Sequence, residues 1–315
     1  MNWKTLLNRL GPLLGLLVVT GLFSLDPEVR GFFLSAANFK IILTQTVVVA
    51  IAALGMTLII VSGGIDLSVG SVIAFTGVLG ALMIQAGYPP VAVIAATVFA
   101  GGVMGSINGA VIGGFKMLPF IVTLGMLGIA RGAAKWISGN QTVNFPPTPI
   151  SGLMTAGEML PPPGVAIVLV LAVVMGGLMR RTVFGRHAFA IGANETASRF
   201  SGVRVGWVKF GIYTVAGLFF GVAGLMQLAR LRQGDPSVAV GVELDTIAAV
   251  VIGGASLRGG SGSVVGSLVG ALIMAVLRNG SQQMGWPTYM QEIIIGLVII
   301  LAVGLDRWRQ GKKGD

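Results

Sequence analysis

Residues 61–71 read Val61-Ser62-Gly63-Gly64-Ile65-Asp66-Leu67-Ser68-Val69-Gly70-Ser71 and stand between two long apolar runs. The stretch sets a carboxylate, Asp66, inside what its flanks mark as membrane. A charged residue at the centre of a bilayer costs about 2.5–3.5 kcal/mol on insertion scales, so such residues are few and functional by default. Gly63, Gly64 and Gly70 each weaken a helix by about 1 kcal/mol relative to Ala. A broken helix at membrane depth is tolerated only where the freed backbone is buried in protein or lines a cavity. The stretch therefore reads as a helix break inside a polytopic membrane protein.

The pattern returns once. Gly63, Gly64, Leu67, Gly70 and Ser71 align without a gap with Gly253, Gly254, Leu257, Gly260 and Ser261, and Gly80-Ala81-Leu82 then falls on Gly270-Ala271-Leu272. Gly-interrupted hydrophobic segments at matching places in two halves of a chain point to a transport path.

Composition agrees. Of 315 residues, 54% are hydrophobic and 10% charged, with a mean hydropathy of +0.89, whereas a soluble domain carries roughly 25% charged residues. The net charge of +10 does not indicate nucleic acid. The Lys and Arg residues lie between and beside apolar runs, where cytoplasmic loops collect them. There is no cysteine and a single histidine, His187, so neither a disulfide nor a thiolate metal site can form, and no metal site is expected.

Taken in order, apolar runs at residues 10–25, 41–62, 72–87, 91–113, 119–137, 165–179, 210–228, 246–252, 264–277 and 293–303 predict an all-α membrane protein of about ten transmembrane helices. It is internally repeated, with two Gly-interrupted motifs, and residues 1–315 form one permease-like domain. The first run lacks a small-residue cleavage site before Asp26 and reads as a span, not a signal peptide. The distribution of Lys and Arg puts both termini in the cytoplasm, Lys4 and Arg9 at one end and Arg307, Arg309, Lys312 and Lys313 beside Asp306 at the other. Residues 138–163, with Glu158 as their single acid, read as an outer loop. Arg131 and Lys135, near the outer end of the fifth run, read as cations that snorkel to the interface, with bracing of an outer vestibule as the alternative.

Residues 180–209 hold Arg180, Arg181, Arg186, Arg199, Arg204 and Lys209 against Glu195 alone and read as the main cytoplasmic loop. Within it Asn194 is placed to cap a helix of about two turns that opens on the acid Glu195 and stops at Gly202.

No G-x-x-x-x-G-K-[ST] phosphate loop occurs, and Gly259-Gly260-Ser261-Gly262-Ser263 is followed by no lysine, so this chain does not itself hydrolyse ATP. No H-E-x-x-H, G-x-S-x-G or paired carboxylates appear, and no catalytic residue is expected. The work left is passage of a solute. Ser62, Asn108 and Thr123, with Gln45, Thr57 and Gln227, are the polar candidates for its path, although small polar side chains in membrane bundles commonly serve helix–helix contact. Asp66 reads first as a structural carboxylate accepting N–H groups at the start of the following helix. Gly63, Gly64, Asp66, Ser68 and Gly70, with Gly253, Gly254 and Ser256, form the candidate hinge or gate. Two other readings stay open: a proton-coupled secondary transporter that uses Asp66, and a membrane assembly protein that moves no solute.

Three separated motifs carry a resemblance. They are Gly63 to Ser71; Phe184-Gly185-Arg186 leading to Ala190-Ile191-Gly192-Ala193-Asn194 and Ser201-Gly202-Val203; and Glu243-Leu244-Asp245 with Ile247-Ala248-Ala249 and Ile252-Gly253-Gly254-Ala255-Ser256-Leu257. In this order they resemble the permease subunit of sugar ABC importers of the ribose/xylose/arabinose type. The resemblance implies a bacterial inner-membrane subunit, held in membrane lipid, that conducts a pentose or hexose. It implies three partners: a second permease copy, identical or closely paralogous; a cytoplasmic ATPase with two nucleotide-binding domains, which binds the ATP and Mg; and a periplasmic sugar-binding protein. It also implies that Asn194, Glu195, Ser198, Arg199 and Gly202 form the coupling helix that docks into the ATPase, and that this chain holds no cofactor.

Overall fold

A computed structural model describes residues 3–157 and 161–311. Glu158, Lys312 and Lys313 lie outside the described residues, and the side chains of Lys4, Arg9, Asp306, Arg307 and Arg309 do as well. The helices are α1 (Trp3–Ser24), α2 (Pro27–Phe33), α3 (Ala36–Val61), α4 (Val69–Gln85), α5 (Pro90–Phe115), α6 (Pro119–Ile137), α7 (Pro163–Arg181), α8 (Val183–Ala193), α9 (Glu195–Phe200), α10 (Val205–Leu231), α11 (Val242–Ile252), α12 (Val264–Gln283) and α13 (Thr288–Gly311).

Their ends follow local chemistry. Pro27, Pro90, Pro119 and Pro163 each open a helix, at the position where a missing N–H costs nothing. Ser35 and Ser263 cap α3 and α12 by accepting from the Asn38 and Gly266 N–H groups. Lys116 and Arg232 close α5 and α10 in the left-handed conformation, at φ 55° and 56°.

Six of these helices, α3, α5, α6, α7, α10 and α12, are long and apolar enough to cross a membrane among the described residues. This corrects the expectation of about ten. A spanning helix needs about 20 apolar residues. The expected third span is α4, with 17 residues, and the expected eighth belongs to α11, with 11. In α1 and α13 the stretches described with their side chains, Gly11–Ser24 and Thr288–Val298, are apolar and shorter than a crossing. The glycine breaks cut short the apolar runs of α4 and α11.

At the centre lie α3 and α10, buried over most of their length. Ala50 to Val61 is buried at every position, as expected of a helix that is apolar all round. The most extensive helix–helix contact among the described residues is between α5 and α10. Gly101, Gly105, Gly109 and Gly113 recur every fourth residue and meet the backbone of Gly206, Phe210, Tyr213, Gly217 and Gly221. A Cβ on Gly105 would lie 2.9 Å from Gly217 Cα and would strike the Tyr213 carbonyl. This is the small-residue device by which membrane helices bring their backbones together.

At the end of the molecule where α6 and α10 finish, the loops are stitched together. β1 (Val143–Asn144) pairs antiparallel with β2 (Gln233–Gly234), and Gln85 donates to the Asn144 carbonyl at 2.7 Å. Arg131 donates to the Pro236 and Val238 carbonyls, both at 2.7 Å, so its charge braces this loop. At the opposite end sit α8, α9 and the two glycine breaks.

Candidate functional site

The first break leaves α3 at Val61, and its backbone turns through Gly63 at φ +83°. Four polar side chains hold the turn in shape. Asp66, 1% exposed, accepts from the Ser68 N–H at 2.7 Å and the Ser68 hydroxyl at 2.6 Å. Asn108 of α5 donates to the other Asp66 oxygen at 3.4 Å and to Ser68 Oγ at 3.2 Å. Thr123 of α6 donates to the Ile65 carbonyl and accepts from the Leu67 N–H, both at 3.2 Å. Asp66 and Ser68, which the sequence sets apart as hinge, and Asn108 and Thr123, which it sets apart as path, thus meet at one hydrogen-bonded turn.

Ser62, just before the turn, bonds back to the Ile59 carbonyl at 2.7 Å. Gly64 leaves room for the Tyr213 ring of α10, whose hydroxyl a Cβ would strike. Gly70 lies apart from the turn: its neighbours are the Ala239 carbonyl and Glu243 Oε2, and a Cβ there would sit 2.6 Å from the latter.

The second break begins where α11 stops at Gly253 and turns through Gly254 at φ +92°. Gly253 packs backbone to backbone on Gly266 of α12. Ser256 closes the loop, its N–H donating to the Ser261 carbonyl at 3.2 Å and its hydroxyl accepting from the Arg258 N–H at 3.3 Å.

The two breaks touch. The Gly260 N–H donates to the Val61 carbonyl at 2.8 Å, and Gly192, near the end of α8, packs against both. A Cβ on Gly192 would run into the Val61 carbonyl and the Gly260 nitrogen. One backbone junction therefore joins α3, α8 and the loop between α11 and α12.

From that junction the chain passes directly into α9. Asn194 caps it, accepting from the Ala197 N–H at 2.9 Å, and the buried Ser198 hydroxyl bonds back to the Asn194 carbonyl at 2.9 Å. Gly202, at φ +86°, ends the turn, with its N–H on the Arg199 carbonyl and the Val203 N–H on the Ser198 carbonyl, each at 3.1 Å. Glu195 pairs with Arg199 at 2.9 Å and reaches Lys209 of α10 at 2.7 Å. Partial burial pushes the Glu195 carboxyl up, but the Lys209 ammonium and then the Arg199 guanidinium outweigh it and hold the group below the ordinary carboxylate value.

A cavity of about 730 Å³ opens between these pieces, lined by Ser62 to Gly64, by α8 and α9, by Lys116 and by Arg258. Gly192, Tyr213 and Arg258 join the candidate site here without having stood out by themselves. Gly192 belongs to the motif Ala190-Ile191-Gly192-Ala193-Asn194, but its close packing is a tertiary fact. Among the described residues no three His, Asp or Glu side chains gather as a metal site.

Residues 38–303 match the family described as branched-chain amino acid transport system / permease component. The ribose import permease protein RbsC of Bacillus subtilis (strain 168) is 41% identical over 318 residues, covering 98% of this chain and 95% of the relative. The L-arabinose ABC transporter permease protein AraH of Azospirillum brasilense is 35% identical, covering 99% and 91%. The D-allose transport system permease protein AlsC of Escherichia coli (strain K12) is 32% identical, covering 97% and 94%. No solved structure matches the chain.

Proposed function

The chain belongs to the branched-chain amino acid transport system / permease component family, and on that premise we propose that it is the permease subunit of a binding-protein-dependent sugar ABC importer in a bacterial inner membrane. Its relatives' names specify ribose, L-arabinose and D-allose, and the solute here is a pentose or hexose monosaccharide. The chain works beside a second permease copy, an ATPase that binds the ATP and Mg, and a periplasmic sugar-binding protein. It supplies the path and no catalysis.

Residues 1–315 act as one permease domain, with 180–209 as its cytoplasmic coupling loop and 138–163 on the outer side. Asn194, Glu195, Ser198, Arg199 and Gly202 form the piece that the ATPase moves. Gly63, Gly64, Asp66, Ser68, Gly70, Gly253, Gly254 and Ser256 form the hinge or gate, and Ser62, Asn108 and Thr123 stand beside it. The observation that carries this reading is the backbone junction of Val61, Gly192 and Gly260. A capped α9 follows directly on α8, whose Gly192 sits at the junction, and Glu195 also grips Lys209 of α10. Displacement of α9 by the ATPase is thereby delivered to both breaks and to the central helix by direct contact. Transmission of this kind needs an element with two discrete arrangements, and glycine breaks supply the backbone freedom for one.

The test is sugar uptake and ATP hydrolysis in proteoliposomes holding this chain, its ATPase and its binding protein, beside a variant carrying Glu195→Arg and Gly202→Pro. Loss of both uptake and stimulated hydrolysis, with the variant still inserted, is expected. ATP-independent uptake by this chain alone would sink the reading.

A further inference from the structure

A second cavity, of about 280 Å³, lies toward the other end of the molecule between α3, α10, α11 and α12. One of its lining residues, Gln45, stands sixteen positions before Val61, about 24 Å along α3 at 1.5 Å per residue. The cavity is therefore separate from the glycine junction. Its lower wall is apolar, with Val48 and Met274, but its polar groups are poorly satisfied. Arg278 sends both Nε and a terminal nitrogen to the same oxygen of Asp245, at 3.0 and 2.6 Å. The other oxygen, Asp245 Oδ1, is buried with no hydrogen-bond partner, and so are Gln227 Oε1 and Gln45 Oε1. Asp245 and Gln227 are 2% and 5% exposed. Arg230 lines the same space with no acid partner among the described residues.

Buried polar atoms left without partners cost free energy, and a native fold that keeps several around one cavity calls for an explanation. Ionisable groups at membrane depth that face a cavity mark solute or ion routes. The orphaned atoms here are acceptors, so their complement is a molecule that brings several donors. A carboxylate brings acceptors only and leaves all three unpaired. A sugar brings a ring of hydroxyls, each able to donate once and accept twice. The volume sits just under the range of about 300–1,000 Å³ typical of drug-sized ligands, as suits a smaller solute.

Resting on the reading of the chain as a sugar permease, we propose that this cavity is a waypoint site for a monosaccharide. Its hydroxyls donate to Asp245 Oδ1, Gln227 Oε1 and Gln45 Oε1, and Arg230 donates to one of its oxygens. Asp245 is held in place for this role by Arg278, which is a positioning residue.

The experiment uses the complete reconstituted system with D-ribose, L-arabinose, D-fructose and D-allose as probes, and L-leucine as the counter-probe. Gln227→Leu keeps the bulk and removes the amide, while Gln227→Glu keeps an acceptor oxygen. Loss of one buried partner predicts that Gln227→Leu lowers uptake of the transported sugar about tenfold or more, while hydrolysis stimulated by the loaded binding protein stays within about twofold. Gln227→Glu is expected to recover most of the uptake. Sugar import by the wild type, with Gln227→Leu uptake unchanged or with hydrolysis falling in step with uptake, overturns the site and leaves the sugar permease standing. Import of leucine alone, or of none of the probes, overturns the sugar permease reading and this inference with it.

Discussion

Asp66 is the residue that the sequence made conspicuous, and its surroundings explain why a carboxylate belongs there. It satisfies the Ser68 N–H, the Ser68 hydroxyl and an Asn108 amide proton in a place closed to water. Removing one partner of a buried hydrogen bond costs about 1–3 kcal/mol because the others are left unsatisfied. Asp66→Ala should therefore lower the thermal unfolding midpoint in detergent clearly, and Asp66→Asn, which keeps an acceptor, should lower it less. Equal midpoints for the two variants would show that the cluster does not hold the break. Glu195 gives a pH prediction. Its carboxyl is depressed in the folded chain by Lys209 and Arg199, so its contribution is complete above the ordinary carboxylate pKa of about 4.3 and is lost as pH falls through the lowered folded value. Amide exchange of residues 195–203, corrected for intrinsic rate, should be flat from neutral pH to pH 6 and rise only in stronger acid. Glu195→Gln should abolish that rise. A rise near neutrality would sink the assignment.

Among elements, α5 and α10 show how much depends on what a residue lacks. Gly105 meets the backbone of Tyr213 and Gly217, and inserting a side chain into close packing typically costs about 1–3 kcal/mol. Gly105→Leu should reduce the detergent-stable, monodisperse fraction in size-exclusion chromatography. Gly125→Leu in α6, where a Cβ meets nothing within 4 Å, should be neutral. If the two behave alike, the α5–α10 contact is not as close as described. The four-residue glycine spacing was present in the sequence, but among 49 glycines nothing there marked which ones face another backbone. The α9 helix was legible, because Asn194 and Gly202 are local signals that act within a few residues. The preceding α8 was not, since its first turn follows Arg181 after Thr182 alone and its apolar face acquires meaning only against α3, α7 and α10.

Across the whole molecule, distant loops are tied at one end and distant breaks at the other. At the first end Asn144 and Gln233 are paired across β1 and β2, and Cα atoms of antiparallel partners lie about 4.5–5.5 Å apart, within disulfide reach. The chain has no cysteine, so Asn144→Cys with Gln233→Cys should form one disulfide on oxidation, readable as loss of maleimide labelling in intact spheroplasts. Persistent labelling of both thiols would overturn the pairing. The sequence alone settled the membrane class, the helix breaks, the capped α9 and the lack of an ATP-hydrolysing phosphate loop, because composition, caps and short motifs act over a few residues. Only the tertiary structure decided that, among the described residues, six helices and not about ten are long and apolar enough to span. It alone also decided that Asn108 and Thr123 brace Asp66's turn, that Gly192 joins both breaks, and that Asp245 and Gln227 share a cavity. Each of these depends on which backbones approach one another across tens or hundreds of residues, and no local pattern encodes that distance.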